Sequence, residues 1–496
     1  MAAAPAEPMA RPRRDGRALR GSDYLWFQPP LPGSADDSLL LVFSNIQVPA
    51  GRFAGRRALA QHPGAVLYLN CPDNAWFLQG IPGLGHDLAS TAEALRQLVA
   101  ELAPSRLVAF GDSMGGSGAL VFGDALGADV VVALSPELEL TQAGSYFLKH
   151  APDGALAADW PAWPGSRRAE RVIAVFGDCD AGEMRQALAL SERRPDAELS
   201  FVPGLFHHVL PVLDRWVGLG PWLQAVLEGE APPRCMARDL GADAEAIHAA
   251  HAAWHAPLCA AEAGALIPAV SAAFLAETAS PLRRAHLGDT LGRLLELGGL
   301  EEAATAWLEK LSLEHPGYLP IYNRLLGRLP ASHREPARVR AEAAVEALDP
   351  ALPGQAVWRD EAVRTLRRIS ATRAAERMPP RASLRAIDRA LTIHPGNFHL
   401  LYDRGVLLER MGDLAGAEAS YEASAVAKPG TAAERSLQRL RAQRQAQRNP
   451  SMNPPAPPSR PAPSAQPSRP GRLAGSLTPR PLVARPAATP TKPSRS

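Results

Sequence analysis

The chain has 496 residues, too many for one core at ~150 residues per domain, so two or three folded parts are expected. Its 46% hydrophobic and 21% charged content is that of a globular protein, and a net charge of +2 singles out no nucleic-acid or acidic partner. No run of about 18 apolar residues occurs, so no membrane span is expected.

Residues 1–21, rich in Pro, Arg and Ala, read as a disordered arm. They lack the apolar h-region of a signal peptide, and Cys71, Cys179, Cys235 and Cys259 show no paired spacing, so the cytoplasm is the expected compartment. Short, nearly continuous apolar runs then predict strands at 24–27, 39–43, 65–69, 106–110, 130–134, 172–176 and 198–202. Between them, helices are predicted at 54–61, at 88–103 and after residue 113, with a closing helix around 217–227. Alternation of strands and helices over 22–230 predicts a doubly wound, mostly parallel α/β sheet.

From 235 to 445 the sequence is rich in Ala, Leu, Arg and Glu, with helical periodicity and no strand signal. Pro316 and Pro350, and again Pro395 and Pro429, lie 34 residues apart. Gly292, Gly299, Ala304 and Leu308 precede Pro316 at the same offsets as Gly405, Gly412, Ala417 and Tyr421 precede Pro429. Small residues at such offsets let two helices of a unit pack closely, and the proline stops the second. This all-α part resembles tetratricopeptide repeats, with 285–316 and 398–429 as its best units, and the resemblance implies a surface for a protein partner. Residues 446–496, with the repeated Pro-Ser-Arg-Pro at 458–461 and 467–470, read as a disordered basic tail.

The chemistry concentrates at Gly111-Asp112-Ser113-Met114-Gly115, which follows the 106–110 strand and opens a small-residue helix. That is the layout of a nucleophile elbow, in which glycines allow the close approach of strand and helix and the helix start favours a developing oxyanion. A serine nucleophile needs a base and an acid that orients the base. Both occur downstream in that order: Gly177-Asp178-Cys179-Asp180-Ala181-Gly182-Glu183 after the 172–176 strand, and Phe206-His207-His208 after the 198–202 strand. On these residues, positions 22–227 resemble the α/β-hydrolase superfamily. The resemblance implies Ser113 as nucleophile, and Gly177 with Asp180 matches its glycine-x-x-aspartate, so Asp180 is the first candidate acid, Asp178 the second and Glu183 the third. His207 is preferred to His208 as base, because His208 looks like the start of an element. The oxyanion donors implied are the Met114 N–H and one from the loop after the 39–43 strand, where Asn45 is the candidate.

Asp73 and Trp76, in the loop after the 65–69 strand, are candidates for a substrate pocket at the same sheet edge. Residues 135–170, with Tyr146, Phe147, Trp160 and Trp163, occupy the usual lid position. Together with Ser44-Asn45 and Asp73-Asn74-Ala75-Trp76, the elbow gives the first ~200 residues a further similarity to compact hydrolase-like proteins of bacterial surface-polysaccharide systems. His248, His251, His255 and Cys259 share a helical face, but no ligand signature completes them, so no metal and no cofactor is expected.

Two functions compete on these readings. One is a serine hydrolase acting on a small-molecule or glycan ester, with a repeat array that binds a protein. The other is a repeat scaffold whose hydrolase domain is inactive. The ordered Ser, acid and His favour the enzyme.

Overall fold

In a computed structural model the described residues are 22–151, 168–207, 209–229, 240–348 and 358–448. The arm at 1–21, His208, Trp160 and Trp163, the 230–235 boundary and the tail from 449 lie outside them.

Seven strands form one sheet: β1 (Leu25–Gln28), β2 (Ser38–Phe43), β3 (Ala65–Leu69), β4 (Arg106–Asp112), β5 (Val130–Leu134), β6 (Arg171–Gly177) and β7 (Glu198–Val202), in the order β1-β3-β2-β4-β5-β6-β7. Only β1 is antiparallel to its neighbour; every other pairing is parallel. Side chains alternate between the two faces. Leu39, Leu41, Phe43 and Ala109 pack under α1 (Leu88–Leu102), α2 (Met114–Leu126) and α4 (Ala181–Arg193). Leu40, Val42, Val108 and Phe110 pack under α5 (Val209–Val217) and α6 (Leu219–Leu227). Both faces are covered, which is why the strands carry no polar face.

Two local expectations fail. Residues 54–61 form successive turns rather than a helix, because Gly55 takes a positive φ of 69°. The closing helix starts early and breaks into α5 and α6 at Gly218, whose φ is 77°.

Everything described beyond residue 240 is helical or connecting. Helices α7 (Ala244–His255), α8 (Ala260–Ala276), α9 (Pro281–Leu297), α10 (Glu301–Glu314), α11 (Pro320–Arg328) and α12 (Arg334–Glu346) are followed by Arg359–Ala375, Pro380–Ile393, Phe398–Arg410, Leu414–Ala427 and Ala432–Arg448. They pair as hairpins, and the small residues sit at the contacts. A Cβ on Gly292 would lie 2.8 Å from Leu308, and one on Gly405 2.6 Å from the Tyr421 ring. Gly299 and Gly412 make the turns, with φ of 75° and 81°. The described residues as far as Leu440 form one compact unit, with the residues from Arg441 apart from it.

Within that unit the helical part grips the sheet's carboxyl edge. The Asp178 carboxylate, just past β6, accepts from the Ser280 hydroxyl at 2.7 Å and the Gly204 N–H at 2.6 Å, and Ser280 caps α9. Cys179 is buried among helical side chains such as Tyr318 and Trp358. No helix among the described residues is long and apolar enough to cross a membrane.

Candidate active site

Ser113 stands at the end of β4 with φ of 55° and ψ of −122°, and α2 begins at the next residue. The turn exists because two glycines leave room for it. A Cβ on Gly111 would fall 2.0 Å from the Gly115 carbonyl oxygen, and one on Gly115 would fall 2.1 Å from that of Phe43. No side chain fits at either place. Parallel pairing of β4, β5, β6 and β7 then brings the loops after β6 and β7 to the same edge as the elbow. Gly177 lets the loop after β7 pass directly over the end of β6, where a Cβ would meet the Leu205 and Phe206 carbonyls at 2.3 Å.

That passage delivers His207 between the serine and a carboxylate. His207 Nε2 lies 2.8 Å from Ser113 Oγ, and its Nδ1 lies 2.6 Å from Oε1 of Glu183. The other oxygen of Glu183 accepts from the Ser135 hydroxyl at 2.7 Å and the Gly177 N–H at 3.3 Å. Ser113 and His207 are each 5% exposed. Burial opposes an imidazolium here, but the Glu183 carboxylate, with Asp112 and Asp180 beyond it, outweighs burial and raises His207 to about 9.

The carboxylate on His207 is therefore that of the third-ranked candidate. Asp180 is the N-cap of α4, and its carboxylate accepts from the Gly182 N–H at 2.7 Å and the Glu183 N–H at 3.3 Å. Asp178 is turned away into the bonds with Ser280 and Gly204. The signal was present as an aspartate three residues before a glutamate, a helix-start pattern in which the first residue is spent on capping. The glutamate at the third helical position normally reaches back to the cap, but here it reaches the histidine instead.

The candidate oxyanion donors differ in how they sit. Met114 begins α2, where first-turn N–H groups lack helical partners. The Asn45 side-chain amide donates one N–H to Asp112 at 3.3 Å. Burial raises Asp112, the elbow's second residue, to about 7.

The pocket candidates do not line the space beside His207. Trp76 is 0% exposed and lies edge-on beneath Phe147 at 5.4 Å, so it is core. Asp73 is exposed on a tight turn with φ of 54°. Asn74 between them bridges two segments, accepting from the Gln47 N–H at 2.7 Å and donating to the His150 carbonyl at 3.4 Å.

The residue that composition and motifs missed is Tyr146. Its ring stacks on His207 with centroids 3.9 Å apart and planes 16° apart. It opens the short α3 (Tyr146–His150), whose start is fixed by the Glu137 carboxylate, the acceptor of the Tyr146 and Phe147 N–H groups. Beside it, Tyr146, Glu137, Glu183, His207, Asp180 and His255 surround a pocket of about 40 Å³.

The His251 and His255 rings lie 4.8 Å apart and tilted by 40°, His248 contacts Arg185 at 2.8 Å, and Cys259 caps the next helix. No group of three His, Cys, Asp or Glu that could hold a metal ion occurs among the described residues.

No family model matches the chain, and no curated protein matches it. Solved structures similar to it include an α/β serine hydrolase without a lid from Xanthomonas campestris, at 17% identity over 42% of this chain and 90% of that one, with a TM-score of 0.28. An α/β serine hydrolase homologue from Coxiella burnetii is 12% identical over 38% of this chain and 84% of that one, with a TM-score of 0.26. The Cut9–Hcn1 hetero-tetramer of APC/C is 11% identical over 39% and 42%, with a TM-score of 0.18. Likenesses this low carry nothing about chemistry. The α/β fold class stands on the strand order, the parallel crossovers and the elbow.

Proposed function

We propose that the sheet portion is a serine hydrolase that cleaves esters, with Ser113 as nucleophile, His207 as base and Glu183 as the acid that orients it. The observation that carries this reading is the continuous bonding from Ser113 Oγ through His207 to Glu183, at 2.8 and 2.6 Å. In the reaction His207 Nε2 takes the Ser113 proton as Oγ attacks the ester carbonyl. Glu183 holds the Nδ1–H, fixes the tautomer and steadies the imidazolium. The carbonyl oxygen becomes an oxyanion beside the Met114 N–H at the start of α2. When the tetrahedral intermediate collapses, His207 returns the proton to the leaving alcohol and the acyl group stays on Oγ. A water activated by the same histidine then releases the acid and restores Ser113.

Tetratricopeptide-like hairpins remain our reading of the helical part, with the small residues at 292 and 405 in its support.

Labelling of the full chain with a fluorophosphonate tests the assignment. Ser113→Ala and His207→Ala should abolish labelling and Glu183→Gln should slow it steeply. Labelling that persists in His207→Ala would move the base to His208. A folded wild type that takes no label would defeat the proposal.

A further inference from the structure

A cavity of about 1000 Å³ lies where the loops after β6 and β7 meet the inner side of the helical array. One wall is Cys179, Asp180, Ala181 and Phe206, the chain neighbours of Glu183 and His207. The opposite wall comes from α7, α9, α11 and the helices Arg359–Ala375 and Phe398–Arg410. Asp180 and His255 line both this cavity and the small pocket against His207. The cavity therefore adjoins the Glu183 side of His207, and Ser113 lines neither space.

The lining is largely apolar, with charged side chains of both signs set in it. Five arginines line it, and three are neutralised within the protein: Arg324 by Asp289 and Glu296, Arg364 by Glu361, and Arg367 by Asp403 at 2.8 Å. Arg368 and Arg410 have no carboxylate partner among the described residues. A second polar group is also left over. His286 is 6% exposed, its Nδ1 pairs with the Tyr318 hydroxyl at 3.1 Å, and its buried Nε2 has no partner. A buried polar atom without a partner is unfavourable, and a ligand hydroxyl would satisfy it.

We propose that this cavity, beside the triad read above, binds an anionic and hydroxyl-bearing molecule whose acid group meets Arg368 and Arg410 and whose hydroxyl meets His286. Two weakly hydrated, planar guanidiniums suit a carboxylate or a phosphate alike. The volume suits a ligand of several rings rather than a simple ester, since drug-sized sites run to about 1000 Å³.

The test is equilibrium binding to the full-length Ser113→Ala chain, read by calorimetry. Three probes are used: an acetylated trigalacturonate, its neutral acetylated galactotriose counterpart, and acetyl-coenzyme A. The expected result is at least about tenfold tighter binding of the uronate than of the neutral sugar, since losing one charge-assisted pair costs about 1.4 kcal/mol or more. That preference should vanish in R368Q/R410Q, with folding checked by melting temperature, and weaken in His286→Phe. Acetyl-coenzyme A binding with the same arginine dependence would support the proposal with phosphate as the anion. Equal binding of acidic and neutral sugars, indifference to R368Q/R410Q, or capture of an acidic peptide in place of all three probes would overturn it. Fluorophosphonate labelling of the wild type is scored separately, so failure of the triad reading and failure of the cavity reading are distinguishable.

Discussion

Glu183 reaches His207 because Asp180 holds the helix start on which Glu183 stands. Substituting each carboxylate therefore has different consequences. Glu183→Gln removes the charge that steadies the imidazolium and should lower kcat by roughly 10³–10⁴-fold. Asp180→Asn keeps a good cap and should hold kcat within about a factor of three. Reversal of that order in steady-state assays would restore Asp180 as the acid. The pH profile belongs to the same pair. His207 is active when neutral, and the Glu183 carboxylate holds its proton up to about 9, so kcat/KM should rise with pH through that value. Without the carboxylate, burial dominates and the rising limb of Glu183→Gln should fall below it. Asp112 obeys the opposite sign for stability. Its folded value of about 7 lies above the ordinary 3.8, so the folded state loses stability as pH rises from 3.8 through 7. Asp112→Asn keeps an acceptor for Asn45 and should raise the melting temperature at pH 8 but not at pH 4. Equal shifts at both would rule out ionisation as the cause.

At the scale of elements, the strands were legible because burial on both faces writes a continuous apolar run, as in Val130–Leu134. Ser113 was legible because only glycine tolerates the backbone contacts at 111 and 115. The acid was less so. Three carboxylates lie within six residues, and which one turns inward depends on the capping of α4 and on Ser280, about a hundred residues away, drawing off Asp178. Trp76 misled for a related reason: a positive φ of 49° folds its ring under Phe147 rather than outward, and neighbouring residues gave no sign of it. The glycines of the helical hairpins make an element-scale prediction. Gly405→Ala drives a methyl into the buried Tyr421 ring, which is held by its bond to Glu409 at 2.9 Å, and should cost about 1–3 kcal/mol. Gly327→Ala, with nothing within 4 Å, should instead add up to about 1 kcal/mol from helix propensity. Urea titrations of both variants decide it, and a neutral Gly405→Ala would show that the hairpin is loosely packed.

For the whole molecule, the Asp178 bonds make the sheet edge and the helical array one body. Asp178→Ala strands the Ser280 hydroxyl and the Gly204 N–H, both buried, at roughly 1–3 kcal/mol each. Its melting temperature should fall, and loss of fluorophosphonate labelling should coincide with loss of helical signal in a single transition. Two separated transitions would mean that the halves fold independently. In that architecture the loop that carries Glu183 begins with the residue that the helical part holds.

The stacked Tyr146 ring also sets a clock on the site. With Ser113 and His207 each 5% exposed and the Tyr146 ring stacked on the histidine, a reagent is expected to meet Oγ when α3 has lifted. Inactivation would then stop scaling with reagent concentration and level off at the frequency of lifting, a ceiling shared by fluorophosphonates of quite different reactivity. Tyr146→Ala, which removes the covering ring, should raise that ceiling and the linear slope at low concentration together.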